Sequence, residues 1–294
     1  MKKVILLGTN ELLGYGSEFP RASIDCKYIP KEFNPNKWNK FREKVNWDRK
    51  LISKEFKRIS DLYGYNSNLP DIVEFRKGKG WTDILSKRLK DKCEVIVPKL
   101  SGESLFTLSY NLVGGITNGQ QEIDFEDSAA ILILPPTDRD IFFRANKGSD
   151  KMENVTLWNY ALMLSRWKEY VESRLGNFYY IHLDDYPEEF YNTKNNPLLF
   201  HLKDDLLFED SLYSKIPEGA YKRMYDGEHL DGVGHLYLEE YFYRTMNALL
   251  LGCGSKWGLT VQQQLLAKDW TVYSLSSTEQ TRCTFLNSSY WSSH

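Results

Sequence analysis

The sequence predicts an α/β protein built on a doubly wound parallel sheet. Two observations carry that expectation. Four short apolar runs, Val4-Leu7, Glu94-Val97, Ala129-Leu134 and Phe178-Leu183, are each bounded by Gly, Pro, Asp or Asn. A strand buried on both faces of a parallel sheet reads as such a continuous run rather than an alternating one. Between and after the runs lie segments with apolar residues at helical spacing. Strand and helix patterns that alternate along a chain point to a parallel sheet with helices on both faces.

The helical segments follow in order. Trp38-Leu62 is long, charged and amphipathic, and predicts one extended helix. Trp81-Leu89 places Trp81, Ile84, Leu85 and Leu89 on one side. Ser104-Leu112, Asn154-Leu175 and Leu236-Leu251 complete the set. Residues 1-251 then read as one α/β domain with insertions at about 19-80 and 188-225, and residues 252-294 as a C-terminal extension. Within the second insertion, Tyr191-Tyr225 mixes Leu/Phe pairs with Asp/Lys and contains Pro197 and Pro217, which suggests a meandering excursion before the Asp-His block. The extension holds a possible edge strand, Thr271-Leu275, and a Ser/Thr-rich end with few periodic apolar positions.

Composition narrows the function classes. Hydrophobic residues are 41% and charged residues 27% of the 294, ordinary for a water-soluble globular chain. The formal net charge of -2 supplies no basic field for nucleic acid or for an anionic membrane surface. No stretch approaches the ~20 apolar residues of a membrane helix. The apolar run after Met1-Lys2-Lys3 is too short for a signal peptide. A soluble protein, intracellular or part of an assembled particle, is expected. The four cysteines, Cys26, Cys93, Cys253 and Cys283, have no C-x-x-C spacing and read as reduced structural thiols. Neither a phosphate-binding Gly-Lys-Ser/Thr loop nor a dinucleotide fingerprint is present between Gly8 and Gly16, so no organic cofactor is expected. His182 with Asp184 and Asp185 reads as a hydrogen-bonded strand end in preference to a metal site, and no metal is expected.

The richest stretch is Asp226-Gly227-Glu228-His229-Leu230-Asp231-Gly232-Val233-Gly234-His235, immediately before the last helical segment. An aspartate three residues ahead of a histidine in a turn can hold one ring nitrogen and leave the other as a base. Asp231 and His235 are a rival pair, four apart. The pattern D-x-x-H-L-x-x-x-G-H before a helix resembles the last conserved block of the SGNH (GDSL-like) hydrolases. At the other end of the chain, Gly8-Thr9-Asn10 followed by Gly14-Tyr15-Gly16 resembles the first block of that family, with Asn10 at the serine nucleophile position. Gly102, after the second apolar run, fits the oxyanion-hole glycine. The third block departs: Pro135-Pro136-Thr137-Asp138-Arg139-Asp140 contains no Gly-x-Asn, leaving Thr137 or Arg139 as the donors available.

The resemblance implies a flavodoxin-like sheet and a Ser-His-Asp ester hydrolase or acyl-transfer site without metal or organic cofactor. A carboxamide at position 10 cannot serve as the attacking hydroxyl. The expectation is therefore an SGNH-like domain without the standard nucleophile, acting as a binding or structural component of a larger assembly such as a viral or phage particle. Its partners would be proteins of that assembly or a carbohydrate or ester ligand, met by aromatic clusters such as Tyr186-Tyr191, Tyr237-Tyr243 and Tyr290-Trp291. Two alternatives stand beside it. One is an active carboxylic-ester hydrolase using His229 and Asp226 with a hydroxyl from Thr9, Ser17 or Ser104. The other is an unrelated α/β binding protein.

Overall fold

The computed structural model describes residues 2-8, 10-19, 28-98, 104-117, 123-136, 150-186, 197-207 and 210-250. Gly102, Thr9, the 137-140 loop, Cys26 and the whole 252-294 extension with its expected edge strand lie outside those residues.

All four apolar runs are strands. β1 (Lys2–Leu7), β2 (Cys93–Ile96), β3 (Ser128–Leu134) and β4 (Asn177–His182) form one sheet in the order β2-β1-β3-β4, every pairing parallel. That order is compatible with the flavodoxin-like arrangement of a doubly wound sheet. The side chains alternate between two buried faces. Val4, Leu6, Ile131 and Ile133 join one core cluster, and Ile5, Leu7, Ala130, Leu132 and Leu134 join the other.

The helices divide accordingly. α4 (Trp81–Leu89) and α8 (Gly232–Leu250) cover the first face through Trp81, Leu85, Leu89, Leu238 and Phe242. α5 (Leu105–Thr117) and α6 (Asp150–Glu172) cover the second through Leu105, Leu108, Tyr160, Leu164 and Trp167. Among the described residues no helix is long and apolar enough to cross a membrane.

The expected single helix over Trp38-Leu62 is two helices, α1 (Pro35–Lys44) and α2 (Arg49–Tyr63). Asn46 and Trp47 take left-handed backbone angles, φ 51 and 59. Asp48 then restarts the chain as an N-cap, its carboxylate accepting the Lys50 and Leu51 amides at 2.9 and 3.1 Å. With α3 (Pro70–Arg76), these helices close around an aromatic cluster in which Phe19 stacks on Tyr225 at 4.0 Å and Phe33 on Phe56 at 4.3 Å. The residues read from sequence as a first insertion thus enclose a separate core cluster completed by Tyr225.

Over its described part the Tyr191-Tyr225 segment packs along β4. After α7 (Pro197–Leu202), Leu207 and Leu212 donate backbone hydrogen bonds to the Tyr180 and His182 carbonyls of β4, at 3.0 and 2.9 Å. The segment covers the open edge of the sheet. Leu207, Leu212, Tyr213 and Ile216 enter the first core cluster. Leu199, Leu202, Leu207 and Leu212 are buried along this strap, a pattern too irregular to show periodicity.

Candidate functional site

The loop after β1 lies at the carboxyl end of the sheet, between β2 and β3, where the chain's winding reverses. Crevices of doubly wound sheets form at such a point. Asn10 opens a short 3-10 helix, Asn10–Leu13, which leads into Gly14-Tyr15-Gly16. Both glycines are needed there. Gly14 (φ +73) passes within 3.0 Å of Gly80 Cα measured from where a Cβ would sit. At Gly16 (φ +87) a Cβ would fall 2.2 Å from the Leu230 carbonyl oxygen and 3.1 Å from His229 Cβ. A side chain at position 16 would push the loop away from the Asp226-His229 turn.

That turn is closed by its own backbone. Met224 and Leu230 form an antiparallel bridge, and the Tyr225 amide donates to the His229 carbonyl at 2.9 Å. Asp226 organises its interior. Oδ1 accepts the Glu228 and His229 amides at 2.8 and 2.7 Å, and Oδ2 lies 2.8 Å from His229 Nδ1. Burial works against the Asp226 charge, yet His229 and these amides prevail and hold the carboxyl down at about 2. A carboxylate at Nδ1 favours the tautomer whose Nε2 carries the lone pair. Both side chains keep partial solvent access, 15% for His229 and 18% for Asp226.

Tyr15 joins the two halves. Its amide donates to the Asn10 carbonyl at 3.4 Å, and its ring lies 5.6 Å from the His229 ring. Asn10 and His229 thus flank one residue at the sheet's carboxyl edge. Tyr15 also touches residues that the sequence did not single out. The Arg76 guanidinium sits over the ring at 4.1 Å and 3.7 Å from the buried Glu18 carboxylate, which also accepts the Tyr65 hydroxyl at 2.9 Å. Burial pushes the Glu18 carboxyl up in spite of Arg76. No motif announces this group. Its only sequence trace is an acid next to Phe19 and Pro20, which reads as an ordinary loop.

The rival pair is not a pair. His235 is fully buried, and its Nε2 bonds the Tyr15 carbonyl at 2.9 Å while Nδ1 accepts the Trp81 amide at 3.4 Å. Burial lowers its pKa to about 4. Asp231 accepts the Gly234 amide at 2.8 Å as the N-cap of α8.

Of the three candidate hydroxyls, Ser17 and Ser104 lie among the described residues and Thr9 does not. Ser17 Oγ is buried without a hydrogen-bond partner among the described residues. Ser104 Oγ accepts the Thr107 amide at 3.1 Å and caps α5. His182 is buried between Tyr180 and Tyr186, its ring 4.1 Å from the latter, and burial lowers its pKa to about 3. Asp185 accepts the Ser211 hydroxyl at 2.6 Å. Among the described residues no group of three His, Cys, Asp or Glu side chains is placed to hold a metal ion.

Compared with known proteins, the chain matches no family model, no curated protein and no solved structure.

Proposed function

We propose that this chain is an SGNH-hydrolase-like domain that has exchanged its serine nucleophile for Asn10 and serves as a binding or structural component of a larger assembly. The observation that carries the reading is the coupling of Asp226 to His229 at 2.8 Å in a turn docked on the loop that carries Asn10. On this reading His229 is the base, Asp226 is its orienter, and the residue at the nucleophile position is a carboxamide. A histidine without an attacking hydroxyl can at most activate water and forgoes the covalent route. The assembly role is supported by Phe106, Tyr110, Trp158 and Leu162, large apolar side chains exposed on α5 and α6.

The test is hydrolysis of short-chain nitrophenyl esters. The wild-type protein is expected to be no faster than its His229→Ala variant. Robust wild-type turnover that disappears in His229→Ala would establish the ester-hydrolase reading instead. Thr9, Ser17 and Ser104, replaced one at a time, would then identify the hydroxyl that attacks.

A further inference from the structure

A cleft of about 230 Å³ opens between α1 and the 218-231 strap, and none of Asn10, Asp226 and His229 lines it. Its wall includes Arg42, which is 1% exposed. Arg42 forms no ion pair among the described residues. Nη1 donates to Asn39 Oδ1 at 3.1 Å, Nη2 donates to the Lys222 carbonyl, and Nε has no partner. Both acceptors are neutral. A guanidinium keeps its charge at any ordinary pH, so burying one without a counter-ion is costly. The Trp47 and Tyr225 rings, 4.7 and 5.6 Å from the guanidinium carbon, offset part of that cost.

The other two cations of the cleft differ from each other. Arg223 is already neutralised, lying 3.1 Å from Glu218 and 3.8 Å from Asp231. Lys222 is half-buried and, among the described residues, its ammonium forms no ion pair. Two cations without a direct ion pair among the described residues therefore line one small cavity, with Asp231 the carboxylate that acts on Arg42 from a distance. The backbone is strained at the same place: Trp47 holds its indole over Arg42 from the second of two successive left-handed residues. Such a conformation is uncommon for a bulky residue and clusters at binding sites.

We propose that this cleft is a binding site for a small carboxylate-bearing molecule, its carboxylate set between Arg42 and Lys222 and its body against Trp47. A single negative charge suits the site better than a dianion, because Glu43, Glu218 and Asp231 share the lining. The site is separate from the Asp226-His229 turn and does not depend on any activity there.

The probe is acetate, titrated into the ¹⁵N-labelled full chain with chloride holding the ionic strength constant. The expected result is a saturable shift confined to the Arg42 Nε–H, the Trp47 indole N–H and the amides near Lys222. Affinity should lie in the millimolar range that so small a molecule allows. Lys222→Met should weaken acetate about tenfold, the loss of one charge-assisted hydrogen bond. Arg42→Gln should abolish binding, and where that variant does not fold, Lys222→Met alone decides. Shifts that grow linearly without saturating, or an affinity unchanged by Lys222→Met, would overturn the site. Tighter binding of inorganic phosphate than of acetate would overturn its assignment to a carboxylate.

Discussion

Asp226 and His229 meet each other, whereas Asp231 and His235, a few residues further on, turn away from each other. In the first pair the carboxylate curls back onto its own turn and reaches the ring. In the second, α8 begins directly after Asp231. The carboxylate is drawn to the Gly234 amide of the first turn, and the His235 ring projects inward to tie the Tyr15 carbonyl and the Trp81 amide together. A spacing of three inside a turn and a spacing of four across a helix start thus yield a pair with partial solvent access and a buried structural clamp. Residue type and proximity in sequence do not distinguish a candidate base from a strut. The helix boundary does.

Four changes test this contrast. The largest effect is expected at Gly16, where both halves dock. Gly16→Ala should cost roughly 4 kcal/mol in urea unfolding, from the left-handed backbone and the collision with the Leu230 carbonyl. A cost under ~1 kcal/mol would mean the loop does not rest on the turn.

The second concerns His235 and pH. Its pKa falls from 6.5 in the unfolded chain to about 4 in the fold. Between those values the unfolded state takes up a proton that the folded state refuses, so stability declines as pH falls from 6.5 to 4. The His235 share is roughly 3 kcal/mol. His182, lowered to about 3, adds to the same decline. Stability measured across this window should fall less steeply in His235→Gln than in wild type, and equal slopes would refute the clamp.

Asp226 comes third. Its carboxyl lies below its unfolded value of 3.8, so its contribution is present above about pH 4 and is lost as pH falls toward 2. Asp226→Asn should remove on the order of 2 kcal/mol at neutral pH and leave little difference from wild type near pH 2. The smallest effect belongs to His229. The ring is partly exposed, and when it is removed the Glu228 and residue-229 amides still hold the Asp226 carboxylate, so His229→Ala should cost about 1 kcal/mol, less than Asp226→Asn. A larger loss would make it a second strut.

Much of the sheet was legible because a strand buried on both faces needs no partner to be recognised: Val4-Leu7 and Ala129-Leu134 are apolar at every position. The break inside Trp38-Leu62 was less legible, since amphipathic spacing continues across it while Asn46 and Trp47 reverse the backbone locally. The covered edge of β4 was illegible, because Leu207 and Leu212 bond through their backbones and leave no side-chain pattern. Of the candidate site, the Asp226-His229 contact could be read from a short turn. The Glu18-Arg76-Tyr65 group behind Tyr15 could not, since its members come from separate elements.

What the sequence determined by itself is what local chemistry dictates: four strands, the helices that alternate with them, and an Asp-His turn that closes within a few residues. Tertiary structure alone decided which histidine became the clamp, where Tyr15 met His229, and that Arg42 was buried beside a cleft without a direct ion pair among the described residues. Those outcomes depend on contacts between residues far apart in the chain, and on how much solvent and charge each packed element leaves around them, neither of which is encoded in any local spacing.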